Sequence, residues 1–249
     1  MAVARLEIFA RRRQRIAAAP FAEFSIFQVR AGRKRMGDGQ RRDEIPAGGF
    51  AAVAPGQLLN VENLPPQDGA YRAVCLCLPH TMLAPADPVP VDAPAWAALP
   101  ATRALEQAFA HVEQGVSEHL PESLLRHRVA ELVAAVALAG YRPPMERNRG
   151  LRERIRLLLN TQPAREWRAE EVAARLALST ATLRRRLAGE ATSFSAVLEE
   201  VRLTHGLALV QGSHKPLKQV AAECGYASPS RFTARFRQRF GTLPSELRD

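Results

Sequence analysis

Arginines alternate with phenylalanines in a short segment near the C-terminus. Phe232, Phe236 and Phe240 are spaced four residues apart, which places their rings on one stripe of a helix. The gaps hold the arginines Arg231, Arg235, Arg237 and Arg239. Guanidinium groups bind phosphate through paired hydrogen bonds. The segment therefore predicts a helix that buries an aromatic stripe and turns a basic face toward an anionic partner.

A second basic helix is predicted some fifty residues earlier. If Leu183 and Leu187 are buried, the exposed arc carries Ala181, Arg184 and Arg185. An arginine can donate two hydrogen bonds to the O6 and N7 atoms of guanine, so Arg184 and Arg185 are candidates for reading bases in the major groove. The alternative for each is a phosphate or solvent contact, because at least half of all protein–DNA contacts go to the backbone.

The remaining candidates have smaller or flanking side chains. Thr180 and Thr182 are expected near phosphates, and Ser230 and Thr233 are expected to contact bases weakly or through water. The arginines of the later helix are expected to clamp phosphates. The predicted DNA-binding residues are Thr180, Ala181, Thr182, Arg184, Arg185, Ser230, Arg231, Thr233, Arg235 and Arg237.

The elements that would position these residues form an internal repeat. "EVAARLALSTATLRRRL" (171–187) matches "QVAAECGYASPSRFTARF" (219–236), with one extra residue in the second turn. Each copy has a helix of small residues, a tight turn, a capping serine (Ser179 or Ser228) and a second helix with a large apolar residue at every fourth position. Gly225 suits a left-handed turn conformation. Two matched copies favour a pair of helix-turn-helix units, at about 169–189 and 217–240, over a plain helical hairpin.

The segment between the two copies predicts a connecting helix of about 19 residues, which would be roughly 28 Å long. Successive major-groove segments on one face of DNA lie about 34 Å apart. One chain could therefore place two recognition helices in adjacent grooves.

These motifs resemble the DNA-binding domain of the AraC/XylS family of bacterial transcription regulators. The resemblance covers residues 151–249 and rests on "SFSAVLEEVRL", on "VAAECGYASPSRFTARFRQRFGTLPSELR" and on the first copy of the repeat. Three positions depart from the family pattern. Ala191 replaces a frequent glycine, Gly206 replaces an alanine in the connecting helix, and Ala234 replaces a common arginine. The first two are expected to soften the connecting helix, and the third removes a DNA contact.

The charge of the chain agrees with an anionic partner. The 249 residues carry a net charge of +10, with a pI of about 10.6. Residues 151–249 hold 17 Lys and Arg against 10 Asp and Glu, whereas residues 1–150 hold 18 against 15. Most of the surplus charge thus lies in the C-terminal part, which favours nucleic acid as the partner.

The remainder of the chain predicts a second domain, so the whole is an α+β protein. We expect a basic N-terminal arm over 1–20, short strands over 21–91, helices over 94–141 and a linker over 142–150. The resemblance implies that residues 21–141 form a cupin-like sensor and dimerisation domain. Residues 21–91 would form its β-barrel, which responds to a small-molecule or protein effector, and helices over 94–141 would form a homodimer.

The cysteines and the basic cluster of the N-terminal part each allow a functional and a structural interpretation. Cys75, Cys77 and His80 suggest a metal site, but no fourth ligand is obvious and the segment has the pattern of a buried strand, so we expect no metal and no cofactor. Cys224 is expected in the core. The basic cluster 33–42 is expected to be a solvated loop, with an anionic effector or additional DNA as alternatives.

The leading hypothesis is a transcription regulator, expected to act as an activator, that binds double-stranded promoter DNA and contacts RNA polymerase. The alternative is a DNA-binding module attached to an enzyme, such as a cupin or an alkyl-transfer DNA repair protein. Repair proteins of that kind need a reactive Pro-Cys pair, which this chain lacks. We therefore expect no enzymatic activity, no membrane partner, and a location in the cytoplasm on the nucleoid.

Overall fold

Nine strands in the described part of the chain form two antiparallel sheets. The computed structural model describes residues 3–83, 94–144, 150–213 and 215–248. The first sheet has the order β1-β8-β3-β6-β9 and the second has the order β2-β7-β4-β5. The strands are β1 (Ala4–Ala10), β2 (Gln14–Phe21), β3 (Phe24–Ala31), β4 (Arg33–Gly37), β5 (Arg42–Pro46), β6 (Phe50–Val53), β7 (Gln57–Leu64), β8 (Tyr71–Leu78) and β9 (Trp96–Leu99).

In the same described residues, eight α-helices follow the strands. They are α1 (Arg103–Ser117), α2 (Glu122–Leu138), α3 (Leu151–Asn160), α4 (Ala169–Arg175), α5 (Thr180–Gly189), α6 (Phe194–Gly212), α7 (Leu217–Glu223) and α8 (Pro229–Phe240). The expectation of an α+β protein, with a β-rich N-terminal part and an all-helical C-terminal part, is confirmed. None of the described helices is long and apolar enough to span a lipid bilayer.

The contacts divide the chain into two units, Met1–Met145 together with Ser245–Asp249, and Glu146–Pro244. In the first unit, side chains of the five-stranded sheet pack against α1 and α2, with Phe50 and Phe109 in edge-to-face contact at 5.5 Å. Residues 145–149 of the predicted linker lie outside the described residues.

The predicted N-terminal arm is wrong, because residues 4–21 form β1 and β2. Alternate residues such as Ile8 and Ile16 are buried. Arg13 and Arg15 lie between them, are exposed and each pair with Glu62 at 3.0 Å. The abundance of arginine concealed this two-residue alternation, which is the pattern of a half-buried strand.

The predicted start of the helical region is also wrong. Trp96–Leu99 pairs with β6 as an edge strand, and the first helix begins only at Arg103. Thr102 caps that helix by accepting a hydrogen bond from the Leu105 amide at 3.2 Å. An edge strand of four residues is too short to show a periodic pattern, so only pairing with the neighbouring strand reveals it.

The basic cluster is not a solvated loop either, because Arg33–Gly37 and Arg42–Pro46 are paired strands. Lys34 points inward and is buried. Its Nζ donates to Asn63 Oδ1 at 3.0 Å and lies 4.6 Å from the centre of the Phe27 ring. Burial lowers the pKa of Lys34 to about 8.

Cys75 and Cys77 lie on β8, with their sulfur atoms 3.7 Å apart. Cys75 is buried, Cys77 is half-buried, and burial raises the pKa of the Cys75 thiol. The described residues contain no group of three or more His, Cys, Asp or Glu side chains arranged to hold a metal ion.

Candidate nucleic-acid interface

The two helix pairs α4–α5 and α7–α8 share one turn geometry. The residue that reverses the chain is Ala177 in the first turn, with φ of 55°, and Gly225 in the second, with φ of 74°. Leu178 N donates to Ala173 O at 2.9 Å, and Tyr226 N donates to Ala221 O at the same distance. The same hydrogen bonds therefore end both first helices, which explains why the repeat is visible in the sequence.

A serine caps each second helix. Ser179 Oγ accepts from the Thr182 amide at 3.1 Å, and Ser228 Oγ accepts from the Arg231 amide at 3.3 Å. Pro229 follows the second cap at the first helical position, where its missing N–H leaves no helical hydrogen bond unmade. The helices begin where the capping residues predict.

Each second helix stands on a small apolar core. Leu183 and Leu187 are fully buried on α5, and Phe232, Phe236 and Phe240 are fully buried on α8. The rings of Phe236 and Phe240 meet edge-to-face at 4.7 Å. Cys224 is buried, as expected, and burial raises its pKa to about 12. The buried stripes leave the opposite side of each helix to solvent.

Helix α6 connects the two helix-turn-helix units, α4–α5 and α7–α8, as one continuous helix of 19 residues. Gly206 does not interrupt it. A Cβ atom at Gly206 would lie 2.7 Å from Phe232 Cε2, so the missing side chain is what lets α8 approach α6. Ala191 lies before α6 with φ of 51°, a conformation that favours glycine. Gly206 therefore affects helix packing and Ala191 affects backbone strain. Neither residue softens the connecting helix, which the sequence had led us to expect.

On the first helix-turn-helix unit, the structure places the predicted residues on the exposed side of α5. Ala181, Arg184 and Arg185 are exposed, and Thr180 and Thr182 are half-buried. Thr182 Oγ1 accepts from Ser179 Oγ at 2.9 Å, so this threonine belongs to the cap. Arg184 lies 3.9 Å from Glu170.

On the second helix-turn-helix unit, the predicted residues Ser230, Arg231, Arg235 and Arg237 are exposed on α8, and Thr233 is half-buried. Arg235 forms an ion pair with Glu199 of α6 at 3.1 Å. Arg239 has its guanidinium 5.4 Å from the centre of the Phe240 ring. Within the described residues, Arg185, Arg231 and Arg237 have no acidic partner, so their guanidinium groups are available to an anionic ligand.

Arg202 of α6 has a positioning role that the sequence reasoning missed. Its Nε donates to Pro163 O at 3.2 Å and its Nη2 donates to Arg165 O at 3.0 Å. A Cβ atom on Gly225 would lie 2.8 Å from Arg202 Nη2. The guanidinium therefore contacts the loop before α4 and the turn after α7 together. No spacing rule reveals such a contact, because its partners are backbone atoms distant in sequence.

Comparison with known proteins places this geometry in a family. A family model described as a helix-turn-helix domain matches residues 172–249. HTH-type transcriptional regulator GadX of Escherichia coli strain K12 is 34% identical over 99 residues, which are 40% of this chain and 36% of GadX. HTH-type transcriptional regulator YdeO of the same strain is 34% identical over 96 residues, or 38% of this chain and 37% of YdeO. The chain thus matches about a third of the length of these relatives.

The fold of the chain is similar to a solved structure over nearly its full length. ToxT from Vibrio cholerae strain SCE256, bound to an unsaturated fatty acid, superposes with a TM-score of 0.67 and 15% identity, covering 98% of this chain and 94% of ToxT. The N-terminal β domain and the C-terminal helical domain therefore follow one another in both proteins. The repeated helix-turn-helix units, their connecting helix and the sequence relatives together show that residues 172–249 are an AraC-type helix-turn-helix domain.

Proposed function

We propose that this protein is a transcription regulator that binds promoter DNA through both helix-turn-helix units, with α5 and α8 in successive major grooves. The observation that carries the proposal is that α6 connects two equivalent helix-turn-helix units. Each unit has a capped second helix with its apolar side buried and its basic side exposed. The relatives GadX and YdeO are named as transcriptional regulators, which supports the assignment.

The two recognition helices have different roles in this proposal. Arg184 and Arg185 of α5 read bases, with Thr180 and Thr182 near phosphates. Arg231, Arg235 and Arg237 of α8 contact phosphates, and Ser230 and Thr233 make weaker contacts with bases. Because Ala234 has no long side chain, α5 supplies most of the sequence discrimination.

The N-terminal unit would set the activity of the regulator. The similarity of fold to ToxT with a bound fatty acid supports a small-molecule effector there, and α1 and α2 would form a homodimer. The regulator would act as an activator that contacts RNA polymerase, in the cytoplasm on the nucleoid. The proposal includes no catalytic step, cofactor or membrane partner.

The function is tested by selecting binding sites from a randomised duplex library with the purified chain. Fluorescence anisotropy then measures affinity for the selected site and for random DNA across a salt series. We expect one asymmetric site with two conserved blocks about one helical turn apart. We also expect affinity to fall steeply with salt, because each phosphate contact contributes about 0.9 to the slope of log K against log salt. Equal affinity for every sequence, with and without the N-terminal unit's ligand, would contradict the proposal.

A further inference from the structure

The outer face of the four-stranded sheet carries a surplus of arginine. Six guanidinium groups there share three carboxylates: Arg13, Arg15, Arg33, Arg35, Arg41 and Arg42 with Asp43, Glu44 and Glu62. Exposed ion pairs of this kind add little to folding stability. The excess cations repel one another, so the face is better suited to an added anion than to stabilising the sheet.

The surplus of positive charge is greatest around Glu62, whose side chain is 15% exposed. Arg13, Arg15 and Arg42 each place a guanidinium nitrogen 3.0 Å from its carboxylate, and Arg35 lies 3.7 Å away. One negative charge thus faces four positive ones. A second anion bound beside Glu62 would lie within reach of guanidinium groups that now share one carboxylate.

The sheet leaves room for such an anion. Asn60 of β7 pairs with Gly37 of β4, and Gly37 pairs with Arg42 of β5, in the row next to Glu62. A Cβ atom on Gly37 would lie 2.7 Å from Arg41 O, so the missing side chain lets the turn between β4 and β5 approach the sheet. A cavity of about 440 Å³ lies here, lined by Arg15, Arg35, Arg41, Arg42 and Glu62 together with small and amide residues and the apolar Ile16 and Val61. This volume is within the range of small-molecule sites.

Two local structures hold the cavity in shape. Asp38 Oδ1 accepts from the Gln40 amide at 2.9 Å and from the Arg41 amide at 2.8 Å, which fixes the hairpin turn. Arg41 in turn lies over the Trp96 ring, 5.1 Å from its centre.

The opposite side of the cavity contains a strained bulge in β2. Ala18 has φ of 45°, and its amide donates to Asn60 Oδ1 at 3.0 Å. A non-glycine residue in this conformation raises the free energy of the folded state, and such strain is concentrated at binding sites.

We propose that this cavity binds a phosphorylated small molecule, with the arginines holding its phosphate groups. The arginines surround a cavity and do not follow an extended groove, which favours a compact ligand over a DNA strand. The regulatory meaning of the site rests on the function proposed above, whereas the binding itself does not.

The test is isothermal titration calorimetry of the full chain with inorganic pyrophosphate at fixed ionic strength and without DNA. We expect one pyrophosphate per chain. Arg15→Gln and Arg42→Gln should each weaken binding about tenfold, as expected for one lost charge-assisted hydrogen bond. Glu62→Gln should strengthen binding by a similar factor, because it removes the negative charge that competes with the ligand.

Three controls define the result. Arg103→Gln, at an exposed arginine of α1, should leave the affinity unchanged, and so should Arg185→Ala and Arg237→Ala. Arg42→Gln leaves Glu62 paired with Arg13 and Arg15, so the sheet should stay folded. If Arg42→Gln nevertheless unfolds the chain, the opposite effect of Glu62→Gln still tests the site.

Three results would overturn the proposal. In the first, Arg185→Ala or Arg237→Ala abolishes pyrophosphate binding, whereas Arg15→Gln, Arg42→Gln and Glu62→Gln leave it unchanged. This result would locate the anion at the DNA interface. The second is an absence of binding to both the natural chain and Glu62→Gln at millimolar pyrophosphate. If Arg42→Gln weakens duplex DNA binding and leaves pyrophosphate binding unchanged, the face contacts DNA and the small-molecule assignment fails. None of these results depends on which promoter the protein recognises.

Discussion

Individual residues at the interface separate base reading from phosphate contact. Arg185 and Arg237 are both exposed and both lack an acidic partner among the described residues. They therefore form a matched pair of arginines on different recognition helices. A difference between them must come from what each one contacts on the DNA.

We expect Arg185→Ala to weaken binding to the selected site by about 1–3 kcal/mol and to relax discrimination at one base pair. Arg237→Ala should weaken binding to the selected site and to random DNA alike, and should lower the salt slope by about 1. Fluorescence anisotropy on both DNAs provides the measurement. Identical behaviour of the two variants would show that the assigned roles are wrong.

Ala177 and Ala191 hold left-handed backbone conformations that alanine disfavours. Both are exposed, so a glycine at either position removes strain without losing a buried contact. The second turn already has Gly225 at the position equivalent to Ala177. We expect Ala177→Gly and Ala191→Gly each to raise the free energy of unfolding by about 0.5–1 kcal/mol.

Urea unfolding followed by Trp167 fluorescence, with Trp96 replaced by Phe throughout, measures this effect. The matched control is Ala208→Gly in the middle of α6, which should be less stable by about 1 kcal/mol. Destabilisation by all three glycines would mean that the left-handed turns do not store the strain inferred for them.

Lys34 makes the stability of the N-terminal unit depend on pH. Burial lowers its pKa from 10.5 to about 8, so the unfolded chain binds more protons between these values. Stability should therefore rise as the pH increases from 8 toward 10.5, by up to about 3 kcal/mol. Below pH 8 the lysine is charged in both states, and the full penalty of burying the charge is present.

The measurement is urea unfolding at several pH values for the natural chain and Lys34→Met, with Trp167 replaced by Phe so that Trp96 reports. Cys75 and Tyr71 also have pKa values altered by burial, and they contribute to both chains. The difference between the two profiles reports Lys34 together with its electrostatic interaction with Cys75. Parallel profiles would contradict the lowered pKa.

At the scale of elements, the contact between α6 and α8 depends on one missing side chain. A methyl group at Gly206 would lie 2.7 Å from Phe232 Cε2 and 3.2 Å from Cys224 Sγ. Neither neighbour can move far, because Phe232 and Cys224 are fully buried. Gly206→Ala should therefore destabilise the second helix-turn-helix unit although alanine is the better helix former.

The expected loss is about 1–3 kcal/mol in the free energy of unfolding, from overpacking. Gly189→Ala is the matched control, because a methyl group there meets nothing within 4 Å and should be neutral or slightly stabilising. Trp167 fluorescence during urea unfolding gives both values. A stabilised Gly206→Ala chain would mean that α8 does not pack as closely as the structure shows.

The elements also show what the sequence can and cannot predict. The repeat, its serine caps and the four-residue apolar spacing identified α4, α5, α7 and α8, because these signals act within a few residues. The strands β1, β2 and β9 were missed because strand identity depends on partners distant in sequence. The Arg202 contacts and the cavity beside Glu62 were missed for the same reason, since cross-strand register brings their residues together.

On the scale of the whole molecule, helix α2 leaves two leucines exposed. Leu124 is 51% exposed and Leu138 is 83% exposed, and Leu138 lies fourteen positions after Leu124, which places both near one face of the helix. The proposed homodimer would cover this face. Most single exposed leucines need no explanation, so the paired spacing is what supports the proposal.

We expect Leu138→Glu to shift the chain from dimer to monomer in analytical ultracentrifugation, because a dimer would bury the added charge without a partner. Ala130→Glu, at an exposed position about 100° around α2 from the two leucines, is the control for an added surface charge. A chain that is monomeric without any substitution would exclude the dimer. A dimer that persists in Leu138→Glu would place its interface elsewhere.

The continuous helix α6 has a consequence for how regulators of this build can change over evolutionary time. Inserting one residue into α6 would rotate one unit about 100° relative to the other, because a helix has 3.6 residues per turn. The rotated unit would face away from the groove that its promoter offers. The spacing between the two blocks of a binding site is therefore inherited with the protein, while the bases within each block can diverge through single substitutions on α5 and α8.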